Sequence, residues 1–179
     1  LFKTNKNEFS NTDILNVLKR IFNQCQGGYA VVALISGIGL VAFRDPNGIR
    51  PLALGKNHNG SYLLASESSA ITSLGFEVLK DVKPGEAIII NLDGSLEEEH
   101  LIKDMQHTPC LFEYVYFSRP DSTIDSISVH KSRLRMGDYL GEKIATQYSH
   151  LNIDVVIPVP DTSRTCLLYT SPSPRDLYR

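Results

Sequence analysis

"DVVIPVPDTSRT", Asp154–Thr165, is the stretch on which the reading of this chain turns. Four β-branched residues, Val155, Val156, Ile157 and Val159, are cut by Pro158 and Pro160, and five polar residues follow from Asp161 to Thr165. A short apolar run bounded by proline reads as a buried strand, Asp154–Val159. In open α/β sheets ligands collect beyond the carboxyl ends of the strands, where loops carry polar groups and helices offer free N–H groups. Asp161, Thr162, Ser163, Arg164 and Thr165 are therefore candidates to hold an anion and its Mg²⁺. Hydroxyl and carboxylate oxygens are hard ligands for that ion, and Arg and backbone amides suit phosphate. The plainer alternative is a helix N-cap, because Asp, Thr and Ser start helices in any α/β protein. Spacing alone leaves both open.

Upstream, "SISVHKSRLRMGDYLGEKIATQY" reads as a helix, with Met136, Leu140, Ile144 and Tyr148 recurring every four residues and Ser126 or Ser128 able to cap it. A helix feeding an apolar strand is the opening of an α/β unit with a parallel sheet. Further upstream the pattern differs. "NTDILNVLKRIFNQCQGG" places Ile14, Leu15, Leu18, Ile21, Phe22 and Cys25 on one helical face, capped by Asn11 or Thr12 and ended by Gly27 and Gly28. Runs at Tyr29–Ile35 and Leu40–Phe43 read as strands joined by a tight turn. "RDPNGIRP" is a turn, "SYLLAS" a strand, "ESSAITSLG" a short helix ending at Gly75, and "GEAIIINLDGSL" a strand and hairpin about Asp93-Gly94. This β-rich, antiparallel block is α+β in class, and its border with the α/β part is expected within about ten residues of Phe117.

With 18 Lys+Arg against 20 Asp+Glu among 179 residues, no polybasic surface points to nucleic acid, and no apolar run is long enough for a membrane span. Cys25, Cys110 and Cys166 are odd in number and far apart, which fits free thiols in a reducing compartment. "FEYVYFSRPDS" carries Glu113, Arg119 and Asp121 among aromatics. It reads as a strand followed by an Arg-Pro-Asp turn, with a site lining as the alternative. His100, His107 and Cys110 match no zinc spacing, "LEEEHLIKDMQH" reads as a solvated segment, and the glycines form no Walker or dinucleotide fingerprint.

"GGYAVVALI", "GLVAFRDPNGIRPLALGK", "LLASESSAITSLGFEVLKDVKPGEAIII", "CLFEYVYFSRPDSTIDSISVHKSRLRMGDYLGEKIA" and "NIDVVIPVPDTSRTC" together resemble the glutamine phosphoribosylpyrophosphate (PRPP) amidotransferases, or amidophosphoribosyltransferases, nearly continuously from about Ala30 to Cys166. "FRDPNGIRPL" and "EYVYFSRPDS" in series are specific to that family. Other N-terminal-nucleophile glutamine amidotransferases share only the looser strand pattern. The resemblance implies that residues 1–117 are the C-terminal portion of an αββα glutaminase domain. Residues 118–166 would be the beginning of a type I phosphoribosyltransferase domain, and 167–179 a tail foreign to the family.

It implies further that the whole enzyme takes ammonia from glutamine with an N-terminal Cys nucleophile and passes it to C1 of PRPP. The products are glutamate, pyrophosphate and 5-phosphoribosylamine, the first step of purine synthesis. The nucleophile, the residues that grip glutamine and the acidic PRPP fingerprint strand match nothing in this sequence. The chain is thus expected to be an inactive internal fragment of a cytoplasmic, homo-oligomeric enzyme inhibited by purine nucleotides. Asp161, Thr162 and Ser163 match the pyrophosphate-side loop, with Thr162 at the position associated with Mg²⁺. Cys110 lies near the first cysteine of the [4Fe-4S] cluster that some members carry, but one cysteine builds no cluster, and none is expected. The alternatives are another glutamine amidotransferase of the same nucleophile class, or a non-catalytic binding fragment.

Overall fold

The first helix begins at Ser10, whose extended backbone (φ −98°, ψ 163°) and hydroxyl make it the N-cap of α1, Asn11–Gln24. In this computed structural model, which describes residues 9–102, 106–151, 154–159 and 163–166, Ser10 Oγ accepts from Asp13 N while the Asp13 carboxylate accepts from Ser10 N at 3.0 Å. That reciprocal cap is worth about 1 kcal/mol and displaces the cap expected at Asn11 or Thr12, which already belong to the helix. Ile14, Leu18 and Phe22 are buried as their spacing predicts, whereas Cys25 falls past the last turn and is exposed.

The chain divides into two compact units after Cys110. In the first, seven strands follow α1: β1 (Ala30–Ile35), β2 (Gly39–Arg44), β3 (Ala53–Lys56), β4 (Tyr62–Ala65), β5 (Glu77–Asp81), β6 (Glu86–Asn91) and β7 (Leu96–His100), with α2 (Ser68–Ser73) between β4 and β5. They form an antiparallel four-stranded sheet ordered β1-β2-β6-β7 and an antiparallel three-stranded sheet ordered β4-β3-β5. The hairpin from β1 to β2 turns through residues 36–38, and β2 opens at Gly39 (φ +132°), where a Cβ would collide with the Ile90 carbonyl. Only glycine fits there.

Alternation along the strands sorts the core into layers. Val41, Phe43, Ala87 and Ile89 pack against Ile14, Leu18 and Phe22 of α1. Their neighbours Ala42 and Ile88 point the other way and pack against Leu52, Leu54 and Val82. On the far face of β3, Gly55 lacks a Cβ where Ile71 of α2 presses in. The order is α1, four-stranded sheet, three-stranded sheet, α2. Lys80 of β5 crosses between the sheets, 2.6 Å from Glu86 and 2.9 Å from Glu98. Each large aliphatic side chain buried in these layers stabilises the unit by about 1.5–3 kcal/mol.

Several elements differ from the sequence expectation. "LEEEH", expected as a solvated segment, is solvated at Glu97, Glu98 and Glu99 but also forms β7, an edge strand held by β6. β3 and β5 arise where no strand is expected; β3 is held between β4 and β5, and β5 pairs with β3 alone in its sheet. "FEYVYF" is not a strand; Glu113–Phe117 is a π-helix, closed by Ser118 N donating to Glu113 O at 3.0 Å.

In the second unit the π-helix leads into a small hairpin, β8 (Thr123–Ile124) and β9 (Ile127–Ser128), and then α3 (Val129–Gln147). Ser128 caps α3 by accepting from Lys131 N. The buried stripe of α3 is Val129, Arg133 and Gly137 rather than Met136, Leu140, Ile144 and Tyr148. Residues 154–159 run without forming a strand, and Val155, Val156, Ile157 and Val159 are exposed. A strand needs a ladder partner for its N–H and C=O groups, and among the described residues none pairs with this segment. No parallel ladder forms among the described residues either.

Candidate functional site

Of the loop singled out in the sequence, Asp161 and Thr162 lie outside the described residues, and Ser163 lies within them. Ser163 is turned back on its own chain. Its N–H donates to Val159 O at 3.2 Å and its Oγ donates to the same carbonyl at 2.5 Å. Residues 164–166 continue as the start of a helical turn. Ser163 Oγ is thus engaged with a carbonyl four residues back rather than with the N–H groups of a following helix. Gly137 lets the Cys166 backbone come so close to α3 that a Cβ would collide with the Cys166 carbonyl. Beside this crossing lies an apolar groove of about 360 Å³, walled by Leu140 and Ile144 of α3 and by Val156, Ile157 and Val159.

Thr162, the residue expected at Mg²⁺, lies outside the described part of this loop. The loop's described side chains offer two hydroxyls, Ser163 and Thr165, and no carboxylate. Mg²⁺ demands a near-octahedral shell of oxygens and is usually anchored by a carboxylate or phosphate. The described residues by themselves do not fit it.

Two buried polar clusters, neither apparent from spacing, organise the chain's most distinctive motifs. The first explains "FRDPNGIRP". Arg44 and Asp45 end β2 with 1% and 0% exposure. The Arg44 guanidinium donates to the carbonyls of Arg50 (2.6 Å), Val82 (2.8 Å) and Gly48 (2.9 Å). The Asp45 carboxylate accepts from the backbone N–H groups of Tyr29, Asn47, Ile49 and Arg50 at 2.9–3.3 Å. Buried charges persist only when paired or hydrogen-bonded, and here both charges are satisfied by backbone. Gly48, at φ +63° and crowded by Pro84 and His107, permits the loop to close. A charged pair at the end of a buried strand was the available signal, masked by its resemblance to ordinary turn chemistry.

The second cluster lies in "EYVYFSRPDS". Glu113 and Ser118 are 2% exposed, and Ser118 Oγ donates to the Glu113 carboxylate at 3.1 Å. Arg133, 1% exposed, donates from Nε to Tyr114 O at 2.8 Å and from Nη2 to Ser118 O at 2.7 Å. Arg119 and Asp121, by contrast, form an exposed two-pronged pair at 3.0 Å, and these hydrogen bonds hold the Asp121 carboxyl below the usual carboxylate range. The Arg-Pro-Asp-Ser turn also supplies acceptors to α3, Ser122 O for Val129 N and Pro120 O for His130 N. The turn expected there is present, and its work is to cap a helix. His100, His107 and Cys110 are not gathered. Among the described residues no group of three or more His, Cys, Asp or Glu side chains could hold a metal, and no helix is long and apolar enough to cross a membrane.

No family model matches the chain. Among curated proteins it is similar to the amidophosphoribosyltransferase of Pseudomonas aeruginosa, 49% identical over 167 residues that make up 92% of this chain and 33% of that protein. The Escherichia coli enzyme of that name is 56% identical over 142 residues, 77% of this chain and 28% of the enzyme. That of Saccharomyces cerevisiae is 47% identical over 175 residues, 94% and 34%. The chain thus spans about a third of the length of the curated relatives it matches. Among solved structures it superposes on glutamine PRPP amidotransferase from B. subtilis complexed with ADP and GMP, with a TM-score of 0.76 and 34% identity over 92% of this chain and 34% of that one. The structure of the allosteric regulatory enzyme of purine biosynthesis follows, with a TM-score of 0.74 and 35% identity over 92% of this chain and 33% of that one.

Proposed function

We propose that this chain, homologous to amidophosphoribosyltransferase over about a third of that enzyme's length, is part of an enzyme that makes 5-phosphoribosylamine from glutamine and PRPP. In this reading residues 1–117 are the C-terminal portion of the glutaminase domain, 118–166 open the phosphoribosyltransferase domain, and 167–179 stand apart from both. The single observation that carries it is identity of 49% running through 92% of the chain, so that the likeness is not confined to either unit.

The roles follow from position. The layered first unit is scaffold for glutamine chemistry, with the Arg44–Asp45 loop held rigid by backbone bonds. Asp161, Thr162 and Ser163 face the pyrophosphate of PRPP, and Thr162 contacts Mg²⁺ in the whole enzyme, where the ion offsets phosphate charge. Purine nucleotides as inhibitors are supported by the ADP and GMP complex of the B. subtilis protein. A homo-oligomer and a cytoplasmic location belong to the same proposal.

A chimera tests it. The matching third of the E. coli enzyme is replaced by residues 1–166 of this chain, and growth of a strain lacking that enzyme is measured without purines. Growth is expected, and a Thr162→Val chimera should grow poorly and need more Mg²⁺ in a PRPP-consumption assay. A soluble, oligomeric chimera that supports no growth overturns the reading.

A further inference from the structure

A π-turn needs a reason to persist, because its hydrogen-bond geometry is rarely preferred over the α-turn and it is found mostly as single turns, often at functional sites. In an α-turn, Ser118 N would donate to Tyr114 O, four residues back. Here that carbonyl accepts from Arg133 Nε at 2.8 Å instead, and Ser118 N reaches one residue further, to Glu113 O at 3.0 Å. The same guanidinium takes Ser118 O at 2.7 Å, and Ser118 Oγ takes the Glu113 carboxylate, so the residue that closes the π-turn is held from both ends. Tyr114 OH fastens the turn to the following hairpin through Ile124 O at 3.3 Å.

The winding has a visible consequence on the opposite, exposed side. Phe112 stacks with Tyr116 at 5.2 Å and with Phe117 at 6.1 Å between ring centroids. At about 100° per residue, an α-helix would set Tyr116 about 40° from Phe112 but Phe117 about 140° away. Only the wider winding gathers all three rings.

We propose that Arg133 is a register lock. By taking the Tyr114 carbonyl it holds residues 113–117 in the π winding, and the segment has a second, α-wound state in which Ser118 N bonds Tyr114 O and Phe117 leaves the Phe112 face. The element is a two-state device whose balance is shifted by any binding event that distinguishes the two ring arrangements, in proportion to that difference alone.

The test is nuclear Overhauser spectroscopy on the full chain and on Arg133→Met, which keeps the bulk of the side chain and removes its donors. In the variant the Phe112–Phe117 ring contact is expected to be lost while Phe112–Tyr116 is kept, since only the latter exists in both windings. Retention of both contacts overturns the proposal. If Arg133→Met loses the circular dichroism of α3, Arg133→Lys decides. An ammonium carries its donors on one atom and cannot reproduce the fixed Nε/Nη2 fork that reaches both carbonyls, so the Phe112–Phe117 cross-peak should fall at least twofold relative to Phe112–Tyr116. Equal loss of the two contacts marks simple melting and overturns the lock.

Discussion

Ile88 and Ile157 sit in apolar runs that look alike on paper, yet Ile88 is 0% exposed and Ile157 is 80% exposed. Ile88 belongs to β6, with β2 on one side and β7 on the other. Ile157 belongs to a run whose neighbours Val155 and Val159 are equally bare, at 71% and 70%. Both runs are rich in residues that favour strands. What separates them is a partner for the backbone, and a sheet propensity that depends so heavily on cross-strand neighbours is realised only where they exist.

Four measurements sharpen or break that contrast. The largest effect is expected where closure of the first unit depends on charge. Asp45→Asn leaves the shape but removes half of the acceptors for four backbone donors, and should lower unfolding free energy by about 3–5 kcal/mol in urea melts. Next, Ile88→Ala should cost about 3 kcal/mol through lost burial and a cavity, whereas Ile157→Ala should stay within about 0.5 kcal/mol. Equal costs would end the comparison. Ser10→Ala removes the reciprocal cap of α1 and should cost about 1 kcal/mol, read as a lower melting midpoint.

The smallest effect concerns Tyr29, which stacks among Phe22 and Phe43 with a buried hydroxyl that has no hydrogen-bond partner among the described residues. Tyr29→Phe should be neutral or slightly stabilising, because a buried group without a partner is removed. Burial, with the nearby Cys25 and Asp45 adding to it, pushes this phenol from 10.0 up to about 12. The folded state therefore holds this proton more tightly than the unfolded chain. Its contribution is intact below pH 10 and is lost as pH rises toward 12. Ultraviolet titration should show one late-ionising tyrosine that disappears in Tyr29→Phe.

How far the sequence could be read depended on how local each cause was. α1, the hairpin from β1 to β2, α2 and α3 were legible because periodicity and turn residues lie inside them. β3 and β5 were not, since Ala53–Lys56 carries a glycine and Glu77–Asp81 a charged end at each side, and both exist by long-range pairing, β3 with β4 and β5 and β5 with β3. "FEYVYF" has strand composition but winds as a π-turn because of Arg133, whose donor meets Tyr114 O from 19 residues away. Of the candidate loop, Ser163 could be picked out as a polar residue after an apolar run, but not its return to Val159 O. The Arg44–Asp45 and Glu113–Ser118–Arg133 clusters went unread for the same reason: burial of a charge is a property of three dimensions.

The four-stranded sheet has two unlike margins. Along β7 the side chains Glu97, Glu98 and Glu99 give one margin three carboxylates, of which Glu98 is paired with Lys80. Along β1 the exposed side chains are Val32 and Leu34, at 46% and 80%, and the strand carries no charge at all. Carboxylates repel a second strand that brings the same row, while an uncharged, apolar margin does not. Among the described residues the two margins of the sheet therefore answer to different forces. Salt that screens the glutamates eases approach at β7, whereas adhesion at β1 strengthens with whatever strengthens apolar burial.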